Sequence, residues 1–353
     1  MTSPKGNRPI VGITCNRETY NLDVGDIDRQ RLEAVAEFRF EEFDLPTSWD
    51  EPPVSDADTD TRFSNFVSGL DAIIVCHGSP RVTPEVMDAA ANLKFIGELE
   101  GDRFTSRIDP DAAWERGIRI VDTTNGSSYP VSEWALAMIL VACRNGGTQF
   151  LRMRAGEKRV RDPFPFAGTL VGKRVGLIGC GHMGRRLMKY LRPFDVDIYV
   201  HDPYLPRELP EALDFTLTSL DNIFTTCDVV VCVAPLTPGT KGMIGEREIN
   251  LLQPNSVFVN VSRGAVVDSD ALIARIKKGD ISVGLEVFDP EPVPPDHEIL
   301  TLPNVFQSPH SSSGGVSRGA FFELMVDELE RFFAGHETWF DITPNTVANR
   351  KGT

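Results

Sequence analysis

The sequence predicts an α/β protein built on two parallel-sheet domains. Three observations lead there. Short apolar runs alternate with helical stretches along most of the chain. A glycine turn joins one such run to a helix between Arg174 and Asp202. The length, 353 residues, suits two domains, each with its own core.

Residues 1–8 read as a flexible lead-in. Pro9–Cys15 (PIVGITC) is a continuous apolar run, the pattern of a buried strand. Val35–Phe43 alternates and suits a second strand. Pro46–Asp60 is rich in Pro, Asp and Ser and predicts a surface loop. A helix over Thr61–Leu70 precedes the short strand Ala72–Cys76. Thr83-Pro84-Glu85 starts a helix that runs to Ala91. Leu93–Ile96 is a strand, Asp109–Gly117 a helix capped by Asp109, and Ile118–Asp122 a strand. The Pro130–Arg144 helix is apolar nearly all round, which predicts burial or a subunit interface. Arg152–Arg161 reads as basic and irregular.

The second run of elements begins with strand Val175–Ile178, the glycine turn, a helix from Arg185 to Leu191 and strand Asp197–Val200. Further strands are predicted at Val229–Val233, Val257–Val261, Val283–Phe288 and Val305–Gln307, and helices at Leu220–Thr226 and Asp270–Lys278. The Arg318–Phe333 helix closes the fold, and Pro344–Thr353 reads as a short polar tail.

The glycine turn carries chemistry. Gly179, Gly181 and Gly184 form G-x-G-x-x-G between a strand and a helix. The first glycine permits the tight turn, the second lets a pyrophosphate approach the backbone, and the third lets helix and strand lie close. The helix N-terminus offers N–H groups and partial positive charge to phosphates. Asp202 ends the next strand at about the 20-residue spacing of a ribose-binding acid, and it would repel a 2′-phosphate. The unit is Rossmann-like and predicts NAD rather than NADP. The plainer alternative is a glycine turn that only packs a helix on a sheet.

A net charge of −15 argues against nucleic acid or an anionic membrane surface as partner. The six cysteines form no CxxC pair and read as reduced core thiols. No apolar run approaches the ~18 residues that span a membrane, and the N-terminus lacks an apolar signal core. A cytoplasmic location is expected. The six histidines are not clustered at ligand spacing, so no metal site is expected.

In open α/β sheets ligands bind beyond the carboxyl ends of the strands. Arg263, Glu291 and His310 stand just past three successive strands. Singly, each reads as a surface cation, a loop acid and a turn histidine. Together, beside a dinucleotide turn, they suit hydride transfer. Histidine exchanges the hydroxyl proton near neutral pH. A carboxylate partner stabilises the imidazolium, a role Glu291 suits. Arginine binds a carboxylate in bidentate fashion and polarises a carbonyl.

From about Lys94 to Phe333 the chain resembles the D-isomer-specific 2-hydroxyacid dehydrogenases, which include phosphoglycerate dehydrogenases and glyoxylate/hydroxypyruvate reductases. The resemblance rests on AAWERGIRIVDTT, VSEWALAMIL, LVGKRVGLIGCGHMG, HDP, APLTPGTKGMIG, VNVSRGAVVDSDAL, GLEVFDPEP and LPNVFQSPH. It implies that Arg263, Glu291 and His310 form a catalytic trio acting on a small anionic 2-hydroxy or 2-keto acid. It implies Asp202 on the adenosine ribose and pyrophosphate contacts from the main chain of His182 and Met183. Pro203, Ala234, Pro235, Thr240, Val261, Ser262 and Glu286 lie in the same motifs and, with Ser312 just beyond the last of them, complete the implied NAD site. It further implies a Rossmann-like NAD domain over residues 125–315, a flavodoxin-like substrate domain over 1–124 plus 316–353, a cleft between them, and a homodimer built partly by the Pro130–Arg144 helix.

Three departures from the family pattern stand out. Glu286 replaces the usual aspartate near the nicotinamide amide. The loop after His310, Ser311-Ser312-Ser313-Gly314-Gly315, is more serine-rich than usual. The substrate loop is longer than usual and reads IGELEGDRFTSRID. Main-chain N–H groups of Leu99, Glu100 and Gly101 are candidates for a substrate carboxylate, with Arg103 and Arg107 as candidates for a second anionic group. Those arginines motivate an alternative substrate, a phosphorus oxyacid or phosphonate-bearing hydroxy acid. A non-enzymatic NAD-sensing binding protein is the other alternative.

Overall fold

The computed structural model describes residues 8–46, 52–99, 104–157, 168–314 and 319–351. The chain divides into two compact units, Met1–Ser127 with Gly314–Pro344, and Ser128–Ser313 with Asn345–Thr353. The predicted α/β architecture is present in both.

The first unit holds a five-stranded parallel sheet: β1 (Ile10–Cys15), β2 (Glu37–Glu42), β3 (Ala72–Val75), β4 (Phe95–Glu98) and β5 (Arg119–Asp122), in the order β2-β1-β3-β4-β5. Its inner strands are buried almost throughout and mostly apolar, as in parallel sheets covered on both faces. The Gly319–Phe333 helix lays Phe321, Phe322, Met325, Val326 and Leu329 into a core with Val11, Ile13, Ile74 and Phe95. Each of these burials contributes about 1.5–3 kcal/mol.

The second unit holds a seven-stranded parallel sheet: β6 (Arg174–Ile178), β7 (Asp197–His201), β8 (Thr216–Leu217), β9 (Val229–Cys232), β10 (Val257–Asn260), β11 (Ser282–Leu285) and β12 (Val305–Gln307), in the order β12-β11-β10-β9-β6-β7-β8. The order reverses beside β6, the strand that enters the glycine turn. That is where ligands bind in such sheets. The Ser128–Ala142 helix packs Val131, Ala135, Met138 and Ile139 against this sheet. Part of its apolar character therefore belongs to the core.

Several stretches differ from the sequence reading. Asn16–Ala34 had no predicted element, yet helices span Arg17–Asp23 and Asp26–Val35. The second buries only Leu32, so no apolar stripe announces it. The predicted loop over 46–60 yields at its end to the Ala57–Val67 helix, capped where Asp56 accepts from the Thr59 N–H at 2.8 Å. The basic 152–161 stretch begins inside a Gly146–Arg154 helix, whose last turn carries Arg152 and Arg154. The polar tail forms the Pro344–Lys351 helix, and Asn345–Thr353 groups with the second unit instead of staying with 316–344. Buried Val347 anchors it, a single apolar residue that composition hides.

Candidate active site

The glycine turn fits its predicted chemistry. Gly179 sits at φ +99°, and a Cβ there would lie 3.0 Å from the Ala234 backbone. A Cβ at Gly184 would lie 2.7 Å from the Gly179 carbonyl oxygen. A Cβ at Gly181 would meet no protein atom within 4 Å, so this backbone faces open space where a pyrophosphate can approach. The helix starts at His182, inside the turn, with Gly181 as its N-cap and no side chain capping it. Its first N–H groups therefore receive no side-chain acceptor from the cap, the arrangement that suits phosphate oxygens.

Asp202 is held in place by the turn it serves. Its Oδ2 accepts from the Cys180 N–H at 2.9 Å and its Oδ1 from the Tyr204 N–H at 3.0 Å. A carboxylate has acceptor sites beyond these two, so a ribose hydroxyl can still bind. Cys180 is buried, and burial, aided by Asp202, pushes its thiol up to about 11. It is filler, not a reactive thiol.

The strand ends beside the turn are splinted internally. Thr240 donates its hydroxyl to the Pro235 carbonyl at 2.6 Å, and Ser262 donates to the Ala234 carbonyl. Asn260 accepts from the Ser262 N–H and donates to the Arg263 carbonyl, both at 3.0 Å. This brace shapes the turn that presents Arg263. A Cβ at Gly264 would sit 1.9 Å from the Phe288 carbonyl, so the turn lies directly on the segment that leads to Glu291.

The predicted trio meets there. His310 Nδ1 lies 2.5 Å from Glu291 Oε1, and the Phe288 N–H donates to Glu291 Oε2 at 3.3 Å. The His310 and Glu291 side chains are 19% and 25% exposed. Burial pushes the Glu291 carboxyl up, but the His310 hydrogen bond, its charge and that of Arg263 outweigh this and hold it below the usual carboxylate range. Arg263 is thus close enough to Glu291 for its charge to be felt.

Elsewhere the structure corrects the sequence reading. The Leu99 N–H donates to the Val75 carbonyl at 3.1 Å, so it does not serve a substrate carboxylate. Glu100, Gly101 and Arg103 lie outside the described residues. Arg107 is buried and paired with buried Glu98 through Nη1. That ion pair neutralises one loop acid and commits the arginine proposed for a second anionic group. Ser312 spends its N–H on Glu286 Oε1 at 2.6 Å. Asn260, Trp134 and Ser308 are site residues that sequence reasoning missed. A half-buried tryptophan needs a partner for its N–H, and that need was the available signal for Trp134. Among the described residues no group of His, Cys, Asp and Glu could hold a metal ion, and no helix is long and apolar enough to cross a membrane.

Residues 136–312 match the profile described as D-isomer specific 2-hydroxyacid dehydrogenase, NAD binding domain. The chain belongs to this family. Within the family, the D-3-phosphoglycerate dehydrogenase of Methanocaldococcus jannaschii is 35% identical over 275 residues, covering 76% of this chain and 51% of that protein. The chain therefore spans about half the length of that relative. The glyoxylate reductase of Thermococcus litoralis is 31% identical over 288 residues, 80% of this chain and 84% of that one. A phosphoglycerate oxidoreductase from Rhizobium etli shares the fold, with a TM-score of 0.78 at 22% identity over 96% of this chain and 100% of that one. NAD is accordingly the cofactor of the second unit, and Gly181, the His182 helix start and Asp202 are the features that fit it.

Proposed function

We propose that this chain is an oxidoreductase that moves a hydride between NAD(H) and C2 of a small 2-hydroxy or 2-keto acid. Bound NADH supplies the hydride in the reducing direction, and NAD⁺ accepts it in the other. The protein's own residues do the rest. His310 donates its Nδ1–H to Glu291, so Nε2 delivers the proton to the carbonyl oxygen or removes it from the hydroxyl. Glu291 fixes the ring's orientation and stabilises the imidazolium. Arg263 binds the substrate carboxylate and polarises the carbonyl. Overall, keto acid, NADH and one proton become hydroxy acid and NAD⁺.

The observation that carries this reading is the 2.5 Å contact between His310 Nδ1 and Glu291 Oε1. An intact acid–base pair also speaks against a purely NAD-sensing protein. The phosphorus-oxyacid alternative loses Arg107 to Glu98.

We assign Gly179, Gly181, His182, Met183 and Gly184 to the pyrophosphate and Asp202 with Pro203 to the ribose. Ala234, Pro235, Thr240, Val261 and Ser262 line the rest of the cofactor's path. The second unit, Ser128–Ser313, holds NAD, and the first, Met1–Ser127 with Gly314–Pro344, holds the substrate side. Six buried free thiols favour a reducing cytoplasm. The test is a panel of 2-keto acids, including glyoxylate and hydroxypyruvate, with NADH consumption followed by absorbance. Turnover with at least one member is expected, and His310→Asn is expected to lower it by ~10² or more. A near-wild-type rate in that variant removes His310 from the mechanism.

A further inference from the structure

Glu286 is fully buried at the end of β11, and its carboxylate is committed to the protein. Oε2 accepts from the Trp134 indole N–H at 2.8 Å and from the Ser308 hydroxyl, while Oε1 accepts from the Ser312 N–H at 2.6 Å. The Trp134 N–H is shared with Ser308 Oγ at 2.9 Å, closing a small ring of hydrogen bonds. The backbone contributes as well, because the His310 N–H donates to the Glu286 carbonyl at 3.0 Å.

One residue thus grips alternate positions of the Ser308–Ser312 segment: the side chain of 308, the backbone of 310 and the backbone of 312. The segment needs such a grip. His310 is not glycine, yet its φ is +50°, in the left-handed region. That conformation costs a bulky residue energy and persists only where the surroundings over-determine it. Trp134 supplies the rigid end. It lies on the Ser128–Ala142 helix, whose neighbours Ala135 and Met138 are buried in the core, and its ring packs 6.3 Å from Phe306 at the foot of the same segment.

We propose that Glu286 is a positioning residue for His310. It ties the histidine segment to Trp134, so that the imidazole reaches Glu291 and the substrate oxygen in one orientation. The extra methylene relative to aspartate lets the carboxylate reach Trp134, Ser308 and Ser312 together. This inference rests on the hydride-transfer reading and assigns Glu286 to the histidine rather than to the nicotinamide amide.

The experiment compares Glu286→Gln, Trp134→Phe and Ser308→Ala, with glyoxylate and NADH as probes. Glu286→Gln keeps the size but cannot accept from all three donors. It is expected to lower kcat by about 10- to 100-fold, the cost of misplacing a reacting group by about an ångström. Trp134→Phe and Ser308→Ala should follow with smaller losses. NADH affinity, read by titrating the fluorescence of the dinucleotide, should not change. Added to His310→Asn, Glu286→Gln should cost little more, because both act on one proton transfer. Multiplicative losses, or weakened NADH binding with kcat preserved, would overturn the proposal. An activity-independent readout covers failure of the functional reading itself. The His310 Cε1–H resonance, assigned by its loss in His310→Asn, should shift or broaden in Glu286→Gln and in Trp134→Phe. A resonance unmoved in both would sink the positioning role whether or not glyoxylate is a substrate.

Discussion

At position 264 no side chain fits. The turn after β10 lies so close to Phe288 that even a methyl group would overlap its carbonyl. This contact brings the Arg263 turn against the segment that carries Glu291. Gly264→Ala should therefore force the two apart. Overpacking of this kind costs about 1–3 kcal/mol; a thermal melt would show the loss, and turnover should fall with it, since Arg263 moves. Unchanged melting and turnover would mean the turn can relax. Glu291 carries a pH prediction. Its folded pKa lies below the usual value, so its contribution to stability is present above the unfolded value of ~4.3 and is lost as pH falls through the folded one. Glu291→Gln should flatten that part of the acid denaturation curve while leaving the neutral region's slope unchanged.

At the scale of elements, Glu328 ties a helix to the chain that follows it. It lies buried on the Gly319–Phe333 helix and accepts from the Trp339 and Phe340 N–H groups at 2.7 and 3.2 Å. Burial dominates and raises its carboxyl pKa above the usual range despite those bonds. The sign is opposite to that of Glu291. The folded state keeps a proton that the unfolded chain has released, so stability falls as pH rises from the unfolded value through the folded one. Glu328→Gln should remove that slope and leave the turn intact, because an amide oxygen can still accept. A Gln variant whose stability still falls over that window would place the titrating group elsewhere. The missed helices belong to this scale too. Asp26–Val35 is stabilised by Arg31, which pairs with Asp28 at 3.0 Å and reaches Asp327 and Glu330 at 2.6 and 2.8 Å. The last two partners are distant in sequence and leave no local pattern.

At the scale of the molecule, the second unit exposes Tyr129, Leu140, Phe150, Leu151 and Met153 on consecutive helices. Apolar surface of this kind is typical of a site covered by another protein surface. We expect a homodimer through this face. Sedimentation should give twice the 39.0 kDa chain mass, and Phe150→Asp with Leu151→Asp should reduce it to one. A wild-type chain that sediments as a monomer would refute the dimer.

The glycine turn, Asp202 and the trio were legible in the sequence because each depends on short-range order: a strand, a turn, a helix, and reactive residues just past strand ends. The alternation of apolar runs also sufficed for two parallel sheets, since strands covered on both faces read as near-continuous apolar runs. Tertiary structure alone decided which donors and acceptors are already spent. Leu99, Arg107 and Ser312 read as ligand groups until their partners, Val75, Glu98 and Glu286, appeared across the fold. Glu286 itself read only as a departure from the usual aspartate beside the cofactor. Its tie to Trp134 spans 152 residues of chain, and only folding brings the two within hydrogen-bonding distance. A hydrogen bond depends on where two groups meet in space, and spacing along a chain does not record that.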